Sequence, residues 1–182
     1  MSGFKAAFLD RDGVINRDHG YTYRIEDFVF LDGVFEACRR LNTLDYRIVI
    51  VTNQSGIGRG YFSEADFQRL NEWMLERFAQ ENVTITGVYY CPDHPEHGVG
   101  RYKRESPYRK PGPQMIVDAA RDYGLDLRAS FIAGDSLGDI QAGQAAGLGT
   151  CYLIGDAQVL PPEYRQIKVY PGLRELMQAE FY

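Results

Sequence analysis

Cysteine is scarce in the 182-residue sequence: Cys38, Cys91 and Cys151 form neither an even nor a regularly spaced set. That excludes a disulfide framework and fits free thiols in a reducing compartment. Positive charge is also in deficit, with a net charge of -5 at pH 7, so no basic field draws the chain toward nucleic acid or anionic lipid. No apolar run approaches the roughly 18 residues of a membrane span. Met1 leads through Lys5 straight into Ala6-Ala7-Phe8-Leu9-Asp10, without the pattern of a secretory leader. A cytoplasmic monomer with no nucleic-acid or membrane partner is the expectation.

What is present is ordinary globular composition, 45% hydrophobic and 25% charged residues. The whole of 1–182 is therefore expected to form one domain around a sizeable core. Apolar runs at 5–9, 47–51, 85–90, 130–133 and 150–154 read as buried strands. Between them lie helical signals. Ser63-Glu64-Ala65-Asp66 resembles a capping box, and Phe67, Leu70, Met74 and Phe78 follow at helical spacing to about Glu81. Pro113 suits a first helical position ahead of a face of Met115, Ile116, Ala119, Ala120 and Tyr123, with Gly124 as the stop. Further helices are expected over 137–146, 34–44 and 173–179. Strand and helix in alternation predict an α/β fold with a Rossmann-like, doubly wound parallel sheet. The span from Asp10 to Thr52 has room for one helix, so no large cap domain is expected. Residues 91–110 hold Pro92, Pro95 and Pro107 with no apolar periodicity, which predicts a long loop, functional or simply mobile.

In an open parallel sheet, ligands bind beyond the carboxyl ends of the strands. Asp10 and Asp12 follow the first strand, Thr52-Asn53-Gln54-Ser55 the second, and Asp135 with Asp139 the fourth. Asp10-Arg11-Asp12-Gly13 is either a polar turn or a carboxylate pair that divides labour, one acid as ionised nucleophile and the other as proton carrier. Asp135 and Asp139 are either an N-cap and a first-turn acid or further members of the same cluster. Such a cluster repels itself and any phosphate, by about 4 kcal/mol per charge pair at 4 Å and an effective dielectric of 20. All-oxygen ligands of this kind suit Mg²⁺. Arg109-Lys110 supplies the opposite charge, lysine as a point charge for a phosphoryl oxygen and arginine as a fork for substrate. Together these residues fit phosphoryl transfer to an aspartate.

Asp10-Arg11-Asp12-Gly13, Thr52-Asn53-Gln54, Lys110 and Gly134-Asp135-Ser136 with Asp139 resemble the four motifs of the haloacid dehalogenase (HAD) superfamily of phosphatases. The flanks 14–21, 54–60 and 109–111 are similar to the D-glycero-D-manno-heptose-1,7-bisphosphate 7-phosphatases and the related histidinol-phosphate phosphatases, and the Asp18-His19-Gly20-Tyr21 segment favours the former. The resemblance implies a Mg²⁺-dependent phosphatase that removes the C7 phosphate through an aspartyl phosphate, on the route to nucleotide-activated heptose for lipopolysaccharide or surface glycans. It makes Asp10 the nucleophile and Asp12 the acid and then the base. Thr52 and Lys110 become phosphoryl ligands. Asp10, the Asp12 carbonyl and Asp135 become Mg²⁺ ligands. Arg11, Asp18, His19, Gly20, Tyr21, Asn53, Gln54, Ser55 and Arg109 become substrate contacts. Asp139 is assigned to supporting either Mg²⁺ or Lys110.

Relatives of this kind often staple the long loop with zinc. Here Asp93, Ser106 and Tyr108 stand where ligands are needed, leaving Cys91 alone, so no structural zinc is expected. The prolines are a partial substitute. Arg101, Lys103 and Arg104 are either surface charge or an anion contact. The competing readings are a histidinol-phosphate or other phosphomonoesterase, and a non-catalytic phosphate-binding module.

Overall fold

The structure is a computed structural model that describes residues 3–182. Its centre is a six-stranded, wholly parallel sheet in the order β3-β2-β1-β4-β5-β6, formed by β1 (Ala6–Leu9), β2 (Arg47–Asn53), β3 (Gly87–Cys91), β4 (Phe131–Gly134), β5 (Thr150–Ile154) and β6 (Lys168–Tyr170). The helices are α1 (Val34–Thr43), α2 (Ser55–Gly58), α3 (Glu64–Gln80), α4 (Gln114–Tyr123), α5 (Leu137–Ala146) and α6 (Leu173–Glu180).

Strand alternation divides the core in two. Ala7, Leu9, Ile48, Ile50, Phe131 and Ala133 face α1, α3 and α6. Ala6, Phe8, Val49, Val51, Ile132 and Leu153 face α4 and α5. Both sides are fully apolar, which is why β1 and β2 read as unbroken hydrophobic runs rather than alternating ones. The chain builds outward from β1 to β3, then crosses to β4 on the opposite side of β1. The reversal opens a crevice between the ends of β1 and β4.

The α/β class, the doubly wound sheet and five of the strands match the sequence reading. β6 was not anticipated: three residues, Lys-Val-Tyr, on the sheet edge carry too little periodicity to register. The four-residue α2 was missed for the same reason of length. Pro113 occupies the N-cap of α4 rather than its first turn. Between β1 and β2 the described chain holds one short 3-10 turn at Ile25–Asp27 and α1, which packs on the sheet; no cap domain stands over the crevice.

Residues 92–110 contain a 3-10 turn, Gly100–Tyr102, and are tied down along their length. Asp93 is buried and its Oδ2 meets Arg104 Nε at 3.0 Å. His94 donates its N–H to Tyr102 O at 3.0 Å, and Val99 donates to Gly58 O at 2.8 Å. The Tyr102 hydroxyl reaches Glu64 at 2.8 Å, and the Tyr108 hydroxyl reaches Asp118 at 2.9 Å. At the base, Cys91 Sγ lies 3.8 Å from Ser106 Oγ. His94 Nδ1 accepts the amides of Glu96 and His97.

Candidate active site

β1 ends where Asp10 donates its N–H to Ala133 O at 3.0 Å, so the nucleophile candidate still rides on the sheet's hydrogen bonding. The chain then turns sharply: Gly13 and Ile15 donate to Asn16 O and Arg11 O at 2.8 Å each. Gly13 sits at φ +85, and a Cβ there would fall 2.0 Å from Asp135 Oδ2. Only glycine lets the β1 turn and the β4 terminus come this close.

At the β4 end, Ser136 is the N-cap of α5 and Asp139 closes a capping box, accepting the Ser136 N–H at 3.1 Å and its hydroxyl at 2.6 Å. The N-cap is thus Ser136, not Asp135, which frees the Asp135 carboxylate for the cleft. Asp139 is completely buried, and its other oxygen accepts Lys110 Nζ at 2.5 Å. Lys110 also donates to Val51 O at 2.8 Å and lies 3.0 Å from Asp10 Oδ1. All three ammonium protons are thereby used. Burial alone would depress the Lys110 ammonium, but Asp10 and Asp139 beside it reverse the direction and raise it. Asn53 holds the lysine's backbone, donating to Lys110 O at 3.1 Å and accepting from Lys110 N at 3.0 Å.

Oxygens of Asp10, Asp135 and Asp139 lie within 4.8 Å of one another. Burial, then the charge of Asp139, raises the Asp10 carboxyl well above its usual range. The same causes push Asp135 up to about 6. These acids are held together against desolvation and mutual repulsion, a donor set that fits a divalent cation. Both Asp139 oxygens are engaged by Lys110 and Ser136, so Asp10 and Asp135 are the carboxylates available to it. The Asp12 side chain is instead engaged by Arg11, Asn16 and Gln54.

The cleft above them is about 380 Å³ and is lined by Asp10, Asp12, Asp18, Gly20, Tyr21, Asn53, Gln54, Ser55, Lys110 and Asp135, all assigned to the site from sequence, and by Gly56 and Ser136, which lie in the quoted motifs without a role of their own. Gly20 donates to Asp18 Oδ1 at 2.8 Å and sets a turn that holds Tyr21 at φ +54, ring exposed, edge-on to Tyr61 at 4.8 Å. Tyr21 is strained there for a non-glycine residue.

Four expected residues lie elsewhere. Thr52 is fully buried under the cleft, its hydroxyl accepting Gln54 Nε2 at 2.9 Å. His19 lines a neighbouring depression with Thr22 and Glu26. Arg109 stands half-buried outside the lining, 3.4 Å from Asp93 O. Arg11, read from sequence as a substrate contact, is 1% exposed and points behind the cleft, because its guanidinium is enclosed by Phe28, Phe67 and the Thr22 carbonyl. Asn16, whose amide reaches Asp12 at 2.9 Å, and Arg59 fall inside the flanks 14–21 and 54–60 that the sequence reading cites, but it gives neither a role.

The HAD-hydrolase-like family matches the chain over residues 107–156. The chain is 60% identical over 152 residues to the D-glycero-alpha-D-manno-heptose-1,7-bisphosphate 7-phosphatase of Burkholderia mallei, covering 84% of this chain and 80% of that protein. It is 47% identical over 177 residues to the D-glycero-beta-D-manno-heptose-1,7-bisphosphate 7-phosphatase of Escherichia coli K12, covering 96% and 92%. The structure of D,D-heptose 1,7-bisphosphate phosphatase from B. bronchiseptica, complexed with magnesium and phosphate, matches with a TM-score of 0.82 at 31% identity, covering 96% of this chain and 97% of that one.

Proposed function

Because this chain belongs to the HAD-superfamily phosphatases, in the family of the heptose-1,7-bisphosphate 7-phosphatases, we propose that it is a cytoplasmic, Mg²⁺-dependent enzyme that removes the C7 phosphate of D-glycero-D-manno-heptose 1,7-bisphosphate. The observation that carries the chemistry is Asp10 held 3.0 Å from Lys110 at the floor of an acid-lined cleft, with Asp12 beside it. Asp10 Oδ1 is engaged by the Arg11 N–H at 2.8 Å and by Lys110, leaving Oδ2 without a basic partner. A carboxylate oxygen of Asp10 attacks the phosphorus, the bond to the sugar oxygen breaks, and Asp12 gives that oxygen its proton. Asp12, now a carboxylate, takes a proton from water as the water oxygen attacks the aspartyl phosphate and Asp10 is released. Lys110 offsets charge on the phosphoryl oxygens. Asp10 and Asp135 would hold Mg²⁺, which when bound would supply Lewis-acid neutralisation of the phosphoryl charge.

The relatives differ in the anomer for which they are named, so the deciding assay measures phosphate release from the α and β heptose bisphosphates, with histidinol phosphate alongside. Hydrolysis of histidinol phosphate in preference to both would overturn the proposal.

Two cations outside the cleft lining support a bisphosphate. Arg59 Nε is buried without a partner, and its guanidinium stands 5.7 Å from the Tyr21 ring centroid. Burial lowers Arg109, and the neighbouring Arg59 charge adds to that. Neither is ion-paired among the described residues. A second phosphate would relieve this unopposed charge. Losing one charge-assisted contact of about 1.5–3 kcal/mol should raise KM for the bisphosphate roughly 10- to 100-fold in Arg109→Ala. The KM for heptose 7-phosphate should move far less, and equal losses on both substrates would remove this role.

The acid pair also predicts a metal effect on stability. Asp135's folded pKa is raised to about 6, so the metal-free fold loses stability as pH rises from the unfolded value of about 3.9 through 6. Above that range Mg²⁺ meets an ionised Asp135; below it the cation must displace a proton from that carboxyl. At a hundred times its Kd it should add about 2.7 kcal/mol, or roughly 5–10 °C in Tm. That gain should shrink as pH falls below 6. A melting temperature indifferent to Mg²⁺ at pH 7.5 would contradict the assignment.

A further inference from the structure

Arg11 carries a full charge into the interior, and its side chain is only 2% exposed. Among the described residues its one carboxylate partner is Asp12. Nη2 lies 3.0 and 3.1 Å from the two Asp12 oxygens, and Nε lies 3.3 Å from Oδ1. The same Nη2 donates to Thr22 O at 2.8 Å. The guanidinium sits 5.8 and 5.9 Å from the ring centroids of Phe28 and Phe67, so both packing and desolvation fix its place. Two buried amides complete the setting. Asn16 donates to Asp12 Oδ1 at 2.9 Å, and Gln54 donates to Asp12 Oδ2 at 3.1 Å. Each Asp12 oxygen therefore meets donors from behind, while the carboxyl remains 22% exposed on the cleft side.

We propose that Arg11 is a positioning residue for leaving-group protonation: with Asn16 it aims the Asp12 carboxyl at the leaving oxygen and stabilises the carboxylate left behind when that proton departs. The inference rests on the phosphatase reading but not on the identity of the sugar. As the phosphorus–oxygen bond breaks, the electron pair goes to the leaving oxygen, which takes the Asp12 proton. The negative charge passes to Asp12, where the fork and two amides are already oriented, so no reorganisation is needed. The demand for that proton rises with the basicity of the leaving group. An alkoxide such as a sugar oxygen needs it most and a nitrophenolate least.

Lysine at position 11 keeps the charge but loses the fork. The test is kcat/KM of wild type and Arg11→Lys, in Mg²⁺, across aryl phosphates running from p-nitrophenyl to unsubstituted phenyl. This ratio reports the transfer of phosphate to Asp10 rather than the later hydrolysis. The expected result is a loss that is smallest for p-nitrophenyl phosphate and grows to about tenfold or more for phenyl phosphate, a steeper dependence on leaving-group basicity. Asn16→Ala, which leaves the guanidinium in place, should steepen the same dependence less and serves as the deciding variant if Arg11→Lys does not fold. A uniform loss along the series, or none, overturns the assignment. None of these esters tests heptose recognition. Failure of the wild-type enzyme on both heptose bisphosphates would sink the substrate proposal and leave this one standing.

Discussion

Asp10→Asn should abolish phosphate release and leave the chain folded. The substitution is isosteric, and the amide still accepts the Arg11 N–H and Lys110, which also keeps Val51 O and Asp139. What disappears is the nucleophile, and loss of a covalent nucleophile costs on the order of 10⁴–10⁶ in turnover. Removing one of three converging acids also relieves repulsion, so without metal at neutral pH the variant should melt no lower than wild type. Phosphate release and a thermal melt, run side by side, check both halves. Undiminished hydrolysis would refute the aspartyl-phosphate mechanism, and a collapsed melt would contradict the electrostatics.

Lys110→Met should be worse for the fold than for any other single site in the cleft. The ammonium is the one cation between two buried carboxylates. Breaking such a pair from one side typically costs about 3–5 kcal/mol because it leaves buried charge uncompensated. For a chain of this size that is roughly 6–20 °C in Tm. The sign with pH follows from the partners. With Lys110 gone, Asp10 and Asp139 oppose each other as carboxylates, so the deficit is greatest near neutrality and shrinks as acid protonates one of them. Turnover should fall about 10²–10³-fold through the lost phosphoryl contact. Lys110→Arg should not rescue it, since the planar fork cannot reproduce three donors aimed from one atom at Val51, Asp139 and Asp10. A melting curve equal to wild type at pH 7.5 would show that the carboxylates are not held apart by this ammonium.

Much of this site is legible in the sequence because its chemistry is written locally. Asp10, Thr52 and Asp135 each follow an apolar run, and parallel strands deliver their carboxyl ends to one edge. Ser63 and Asp66 form the capping box that their spacing announces. What stays hidden depends on contacts between distant residues. Nothing near Arg11 says that Thr22, Phe28 and Phe67 will enclose it, so a charge inside a polar motif reads as a ligand for substrate when it is a buried partner of Asp12. The long loop is opaque for the same reason. Proline-rich spacing predicts irregular backbone, while the ties from Asp93 to Arg104 and from Tyr102 to Glu64 join residues that no local pattern relates. β6 and α2 fall below the length at which periodicity can be read at all.

Lys110 ends the long loop and is also the cation between Asp10 and Asp139, with its peptide hooked to Asn53 through both its N–H and its carbonyl. A displacement of the loop at this peptide would drag the ammonium out from between its acids. Any opening of the loop that spares the chemistry must therefore leave Lys110 in place, so the mouth of the cleft cannot be gated at this residue without dismantling the charge arrangement beneath it.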